Sequence, residues 1–110
     1  MRWLPFAVTL TVVTVLLLIP KPGKLAPGVD VPDTVLHGLA YAALVLAAAV
    51  ARPRPAPLGA FLVAHGALTE CLQAFVPGRT PNWGDWMADV AGALLTLGVV
   101  HAAGQRRRSR

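Results

Sequence analysis

The chain has 110 residues, with ten lysine and arginine residues against five aspartate and glutamate residues, and a formal net charge of +5. Hydrophobic residues make up 55% of it and charged residues only 14%, whereas soluble domains average about 25% charged residues. So few charges cannot cover a domain of this size with a polar surface, which predicts a chain whose solvent is mostly lipid. The single cysteine, Cys71, excludes an intramolecular disulfide and a zinc ribbon.

Four apolar runs cover most of the chain, at about residues 3–19, 34–51, 57–76 and 86–103. Each is long enough for a helix to cross a hydrocarbon core of about 30 Å, at about 1.5 Å per residue. Proline, glycine and charged residues separate the runs and favour helix ends there. The sequence predicts an all-α integral membrane protein, with a four-transmembrane-helix bundle over residues 1–104 and a basic cytoplasmic tail over residues 105–110.

The first run has a second interpretation, because Arg2 followed by an apolar stretch is also typical of a secretory signal peptide. No small-x-small cleavage site follows Ile19. We therefore expect a retained first helix.

The positive residues predict the orientation of the bundle. If the N-terminus is cytoplasmic, seven of the ten positive residues lie inside, and three lie outside, namely Lys21, Lys24 and Arg79. The positive-inside rule then predicts a multi-pass protein of the cell membrane with both termini cytoplasmic. All the acidic residues fall in the outer half: Asp30, Asp33, Glu70, Asp85 and Asp89. The arginines crowded at the C-terminus form a tail rather than a nucleic-acid-binding face.

Three of the predicted helices carry polar side chains at a similar depth. On the second, His37 lies about 6 Å and Tyr41 about 12 Å inward from Asp33; on the third, Glu70 lies about 9 Å below the outer end. On the fourth, Asp89 lies about 6 Å below Asp85. Ionisable groups inside a bilayer are costly unless they face protein, a partner or a wet cavity. We expect an outward-facing site with His37, Glu70 and Asp89 as catalytic residues and with Asp33, Tyr41, Gln73, Arg79 and Asp85 as binding residues.

Structural roles remain open for the same side chains. Asp33 and Asp85 fit the N-caps of the second and fourth helices. The deeper groups fit a polar clasp between helices. Glu70 and Asp89 would repel if both were ionised, so a proton or a cation must lie between them unless Arg79 or His37 neutralises the pair.

Several other chemistries are testable against the residues. His37, Glu70, Asp85 and Asp89 have the side chains that bind divalent cations, but no spaced ligand motif accompanies them, and we expect no metal; cofactors stay open. The only serine, Ser109, lies in the basic tail, which excludes an intramembrane serine hydrolase. We expect His65 to bond a backbone carbonyl within the membrane and His101 to anchor the inner interface.

The ordered motifs resemble the VanZ-like family of small membrane proteins. They are Asp33-x3-His37-x3-Tyr41, Glu70-x2-Gln73, Pro77-Gly78-Arg79 and Asp85-x3-Asp89-x2-Gly92, and the resemblance covers about residues 30–98. It implies an association with low-level resistance to the glycopeptide teicoplanin, and it leaves the biochemical activity open. The family more often has asparagine where this chain has Asp89, which adds a carboxylate here.

Three classes of function follow. The first is an enzyme or binder acting on an anionic envelope amphiphile at the outer leaflet, where Arg79 suits a phosphate or carboxylate. The second is a small transporter in the size class of the small multidrug exporters, although those carry an essential glutamate in the first helix. The third is a structural scaffold whose basic tail binds anionic lipid. The substrate, the reaction and the oligomeric state stay open.

Overall fold

The computed structural model describes residues 2–19, 33–77 and 82–109, without the side chain of Asp33. Every regular element in these ranges is helical: α1 is Leu4–Leu18, α2 is Asp33–Ala48, α3 is Pro55–Gln73 and α4 is Trp83–Arg108. A 3-10 turn, Ala49–Ala51, continues α2 and ends at Arg52, whose φ of 51° is left-handed. The predicted all-helical architecture with four main helices is confirmed.

Three of the differences between the helix bounds and the apolar runs have local reasons. Helix α3 starts at Pro55, because proline fits the first turn, where its missing N–H is not needed. Helix α4 begins at Trp83, after Asn82 accepts a hydrogen bond from the Gly84 N–H. The same helix continues through the basic segment to Arg108, since cationic side chains are favourable at a helix C-terminus. Most of the segment predicted as a separate tail is therefore the last turn of α4.

The helices form a ring in which α1 and α4 lie diagonally opposite and each packs against both α2 and α3. Helices α2 and α4 run in the same direction and pack most closely. A methyl group built on Gly92 would overlap the backbone of Gly38, and one on Gly38 would lie 3.6 Å from the Ala88 carbonyl oxygen. Small residues four positions apart, Ala88 and Gly92, thus let the two backbones meet, as is common between membrane helices.

Beside its apolar core, the bundle buries several polar side chains, and it exposes many large apolar ones. The buried polar residues are His37, Thr69, Glu70, Gln73, Asp85 and Asp89. Large apolar side chains stand exposed along all four helices, among them Val12, Leu39, Leu68 and Leu95. Within the described residues, two helices, 34–51 and 83–108, are long and apolar enough to cross a membrane, and α1 is a shorter apolar helix.

Charge is separated along the long axis of the bundle. The described arginines lie at one end, where α1 begins, α2 meets α3 and α4 ends; they are Arg2, Arg52, Arg54, Arg106, Arg107 and Arg108. The buried carboxylates of Glu70, Asp85 and Asp89 lie toward the opposite end, near the start of α4 and the end of α3.

Candidate functional site

The parallel register of α2 and α4 brings two pairs of polar side chains together. At the first turn, the Thr34 hydroxyl donates to Asp85 Oδ1 at 2.8 Å. One turn deeper, His37 Nδ1 and Asp89 Oδ1 are 2.7 Å apart, with both side chains 1% exposed. The other ring nitrogen, His37 Nε2, lies 3.9 Å from Asp85 Oδ2. The His37 imidazole on α2 therefore faces two carboxylates on α4, those of Asp85 and Asp89.

Helix α3 adds Glu70 to this group. Its Oε2 accepts a hydrogen bond from the Asn82 N–H at 2.9 Å, which fixes the start of α4 above the carboxylate. Its Oε1 is buried and has no hydrogen-bond partner among the described residues. Ligand-type atoms of His37, Glu70 and Asp85 all lie within 4.8 Å of one another. We call His37, Glu70, Asp85 and Asp89 the carboxylate cluster.

The structure brings together the three residues predicted as catalytic and one predicted as binding, namely Asp85. Two other predicted binding residues form their hydrogen bonds outside this cluster. Gln73 donates to the Leu17 carbonyl oxygen at 2.8 Å and so ties α3 to α1. Tyr41 bonds to His65. The side chain of Asp33 and the whole of Arg79 lie outside the described residues.

Asp85 is not the N-cap of α4, contrary to one interpretation of the sequence. The cap is Asn82, whose side-chain oxygen accepts from the Gly84 N–H at 2.8 Å. Asp85 lies in the first turn and accepts from Thr34 instead. Its carboxylate is thus available to the cluster, because it is not used by its own helix end.

A second polar group lies deeper in the bundle. His65 Nε2 contacts Thr14 Oγ1 at 2.9 Å, and His65 Nδ1 contacts the Tyr41 hydroxyl at 2.6 Å. The expected bond from His65 to a backbone carbonyl is replaced by these two side-chain bonds, which link α1, α2 and α3. We call Thr14, Tyr41 and His65 the histidine layer. The signal for it was the polar residues Thr14 and His65 inside apolar runs.

Three residues outside the predicted site residues also help to shape the site. Thr34 and Asn82 hold Asp85 and Glu70 through the bonds described above. Gly66 lets α4 approach α3, because a methyl group there would lie 3.1 Å from Asp89 Oδ2 and from a ring carbon of Trp86. Such contacts depend on how the helices pack, and no spacing along the chain predicts them.

The carboxylate cluster combines three acids with one imidazole in a buried setting. Asp89 is placed to hold the Nδ1–H of His37, which directs Nε2 toward Asp85, and imidazole side chains serve in proteins as proton-exchanging groups or as ligands of cations. Comparisons of the chain with protein-family models, with curated proteins and with solved structures found no match. The function is therefore argued from the site.

Proposed function

We propose that the protein is a four-span, VanZ-like protein of the cell membrane. The support is the distribution of side chains: many large apolar side chains are exposed along the helices, and the carboxylate cluster lies inside the bundle. Soluble monomers rarely expose apolar patches of more than a few hundred Å², whereas helices in lipid turn polar groups inward. Helix α1 belongs to the bundle, since Thr14 bonds to His65 and the Leu17 carbonyl accepts from Gln73.

In the proposed orientation the arginine end is cytoplasmic. Cytoplasmic ends of membrane helices carry an excess of arginine and lysine, and this end carries every described arginine. Both termini then lie inside the cell, and the carboxylate cluster lies below the outer face. Reporter fusions after Arg54 and after Arg79 should give opposite signals. Equal signals would contradict the four-span topology.

At this outer end, we propose, the carboxylate cluster binds the polar headgroup of an envelope amphiphile. One observation carries the proposal: Glu70 Oε1 is buried, with the side chain 1% exposed, and has no partner among the described residues. A buried carboxylate oxygen without a hydrogen bond is costly in a purely structural clasp. A ligand at this position would supply the missing interaction.

The residues have distinct proposed roles. His37 is the group that gains and loses a proton, and Asp89 orients it. Arg79 follows the Pro77-Gly78 turn dipeptide, and its guanidinium suits an anionic phosphate or carboxylate on the headgroup. The VanZ-like resemblance links such a site to teicoplanin resistance and to the cell envelope.

The test is a set of single alanine variants at matched membrane expression. Replacing His37, Glu70 or Arg79 should abolish the glycopeptide or envelope phenotype of the wild-type protein. Replacing the exposed Cys71 or His101 should leave it intact. If the phenotype falls only in proportion to protein level, the cluster is a structural clasp and the proposed function is wrong.

A further inference from the structure

We propose that His37, Glu70 and Asp85 bind a divalent transition-metal cation, with Zn²⁺ as the best match. This departs from the expectation drawn from the sequence, where no spaced ligand motif is present. The three side chains come from three helices, α2, α3 and α4, so that only folding brings them together. The inference does not depend on which amphiphile the protein binds.

The distances suit a single ion. The candidate ligand atoms of the three residues lie within 4.8 Å of one another, and His37 Nε2 and Asp85 Oδ2 are 3.9 Å apart. That separation is too long for a hydrogen bond. With zinc–ligand bonds of about 2.0 to 2.2 Å, two ligands of one tetrahedral ion lie about 3.3 to 3.6 Å apart, so the three side chains would have to close in by up to about 1.5 Å. Small side-chain movements would therefore complete the coordination.

Glu70 supplies a second, independent observation. Its Oε2 is engaged by the Asn82 N–H, while Oε1 is buried without a hydrogen-bond partner in the described part of the chain. Natural proteins rarely leave a buried carboxylate oxygen unsatisfied, and a bound ion is one of the usual ways to satisfy it. A cation within reach of Oε1 would offset the free-energy cost of burying this oxygen without a hydrogen bond.

Asp89 completes the arrangement as a positioning residue. Its Oδ1 lies 2.7 Å from His37 Nδ1 and is placed to accept a hydrogen bond from the Nδ1–H, and in that tautomer the lone pair of Nε2 faces Asp85. Histidine ligands of metals commonly donate their other N–H to a carboxylate, which fixes the ring and increases its basicity as a ligand. The pair from α2 and α4 has this form.

Charge also favours a cation. Three buried carboxylates, Glu70, Asp85 and Asp89, face one imidazole, and the described arginines lie at the other end of the bundle. Carboxylates buried together cannot all ionise without a compensating positive charge. A divalent ion supplies two charges at the centre of the group.

The types of the ligand atoms indicate which ion the site would prefer. The imidazole favours zinc and related first-row metals, whereas Mg²⁺ and Ca²⁺ prefer oxygen ligands alone. Three protein ligands leave a tetrahedral zinc ion with one open position, as in catalytic zinc sites. A water molecule or an oxygen of an anionic group would bind there.

The experiment titrates Zn²⁺ into chelator-treated, untagged protein in detergent micelles at pH 7 and measures bound metal by equilibrium dialysis. We expect one high-affinity equivalent in the wild-type protein and in the Cys71→Ala and His101→Ala controls. Glu70→Gln should weaken binding at least about 100-fold, and Asp89→Asn about 10- to 100-fold, the effect of altering a residue that orients a ligand. Circular dichroism and gel filtration check that each variant is folded.

X-ray absorption of the zinc-loaded wild-type protein keeps the test decisive if Glu70→Gln does not fold. The expected spectrum shows nitrogen and oxygen ligands with one imidazole. Sulfur coordination, two or more imidazoles, or equal affinity in folded Glu70→Gln and wild-type protein would overturn the metal site. Absence of tight zinc binding in the wild-type protein would also overturn it and would favour protons or Arg79 as the neutralising group. A bound metal without the envelope phenotype would instead contradict only the proposed function.

Discussion

Two polar groups, one buried and one partly buried, lie about one helical turn apart along α2, and they differ in how completely their hydrogen-bonding atoms are satisfied. In the histidine layer, both ring nitrogens of His65 have partners, Thr14 and the Tyr41 hydroxyl, and the groups can all be neutral. In the carboxylate cluster, three acids share one imidazole, and Glu70 Oε1 has no partner among the described residues. The first has the properties of a clasp and the second those of a ligand site.

This difference shows that burial of ionisable groups does not by itself indicate function in a helical bundle. A polar group that bonds fully to its neighbours stabilises helix packing. One that retains an unsatisfied atom and excess charge is unfavourable until something binds. Variants of the two groups should therefore differ in their stability and in their affinity for zinc.

The close approach of α2 and α4 sets the register of the two helices, and with it the positions of the side chains in both polar groups. Gly92→Ala should destabilise the bundle by about 3 kcal/mol or more, because the new methyl group would overlap backbone atoms of Gly38, which cannot move aside as a flexible side chain would. Gly98→Ala, where a methyl group would meet nothing within 4 Å, should be neutral or stabilising by up to about 1 kcal/mol. Unfolding in mixed micelles of increasing denaturing-detergent content measures both, and equal effects would contradict the packing.

Removing the N-cap of α4 should have the next largest effect on stability. Asn82→Ala should cost about 1 kcal/mol of stability, because it removes the side-chain cap on the Gly84 N–H. Asn82→Ser should retain most of the stability, since serine is also a good N-cap. Both variants keep the backbone N–H that Glu70 accepts from, so zinc affinity should change little. A large loss of affinity in the serine variant would show that the Asn82 side chain also belongs to the site.

The histidine layer should behave as a clasp. Tyr41→Phe should lower stability by about 0.5 to 1.5 kcal/mol, because it removes the hydroxyl that bonds to His65 Nδ1. Zinc binding should be unchanged, as measured by the same dialysis. A loss of zinc binding in this variant would mean that the two polar groups act as one.

The carboxylate cluster should show the opposite behaviour. Glu70→Gln should leave the apo protein as stable as the wild type or slightly more stable, since it keeps an oxygen for the Asn82 N–H and removes a buried negative charge. The denaturing-detergent midpoint without metal measures this. A loss of more than about 1 kcal/mol would identify Glu70 as part of a clasp.

Much of the cluster could be predicted from the sequence, because helical rise and spacing determine depth and face. His37, Glu70 and Asp89 fall at one depth by counting residues from the helix ends, and the structure places them together. Counting residues along each helix does not predict the hydrogen-bond partners of Gln73 and Tyr41. Gln73 bonds to a carbonyl of α1 and Tyr41 to a histidine of α3, and these contacts depend on which helices are neighbours.

The helix ends were predicted less well for a related reason. At the start of α4, either Asn82 or Asp85 could occupy the N-cap position, because both residue types are good N-caps. The structure selects Asn82, and it leaves Asp85 to bond with Thr34 on a different helix. A partner outside the helix, invisible in the local sequence, decides the outcome.

The central claim, that the carboxylate cluster is a ligand site and the histidine layer a clasp, is tested most directly by the effect of zinc on stability. At a free zinc concentration about 100 times the dissociation constant, a single site stabilises the folded state by about 2.7 kcal/mol. We predict this shift in the denaturing-detergent midpoint for wild-type and Tyr41→Phe protein, and at most about 0.4 kcal/mol for Glu70→Gln at the same zinc concentration, because its dissociation constant is expected to be at least about 100-fold higher. An equal shift in Glu70→Gln, or no shift in the wild-type protein, would contradict the account.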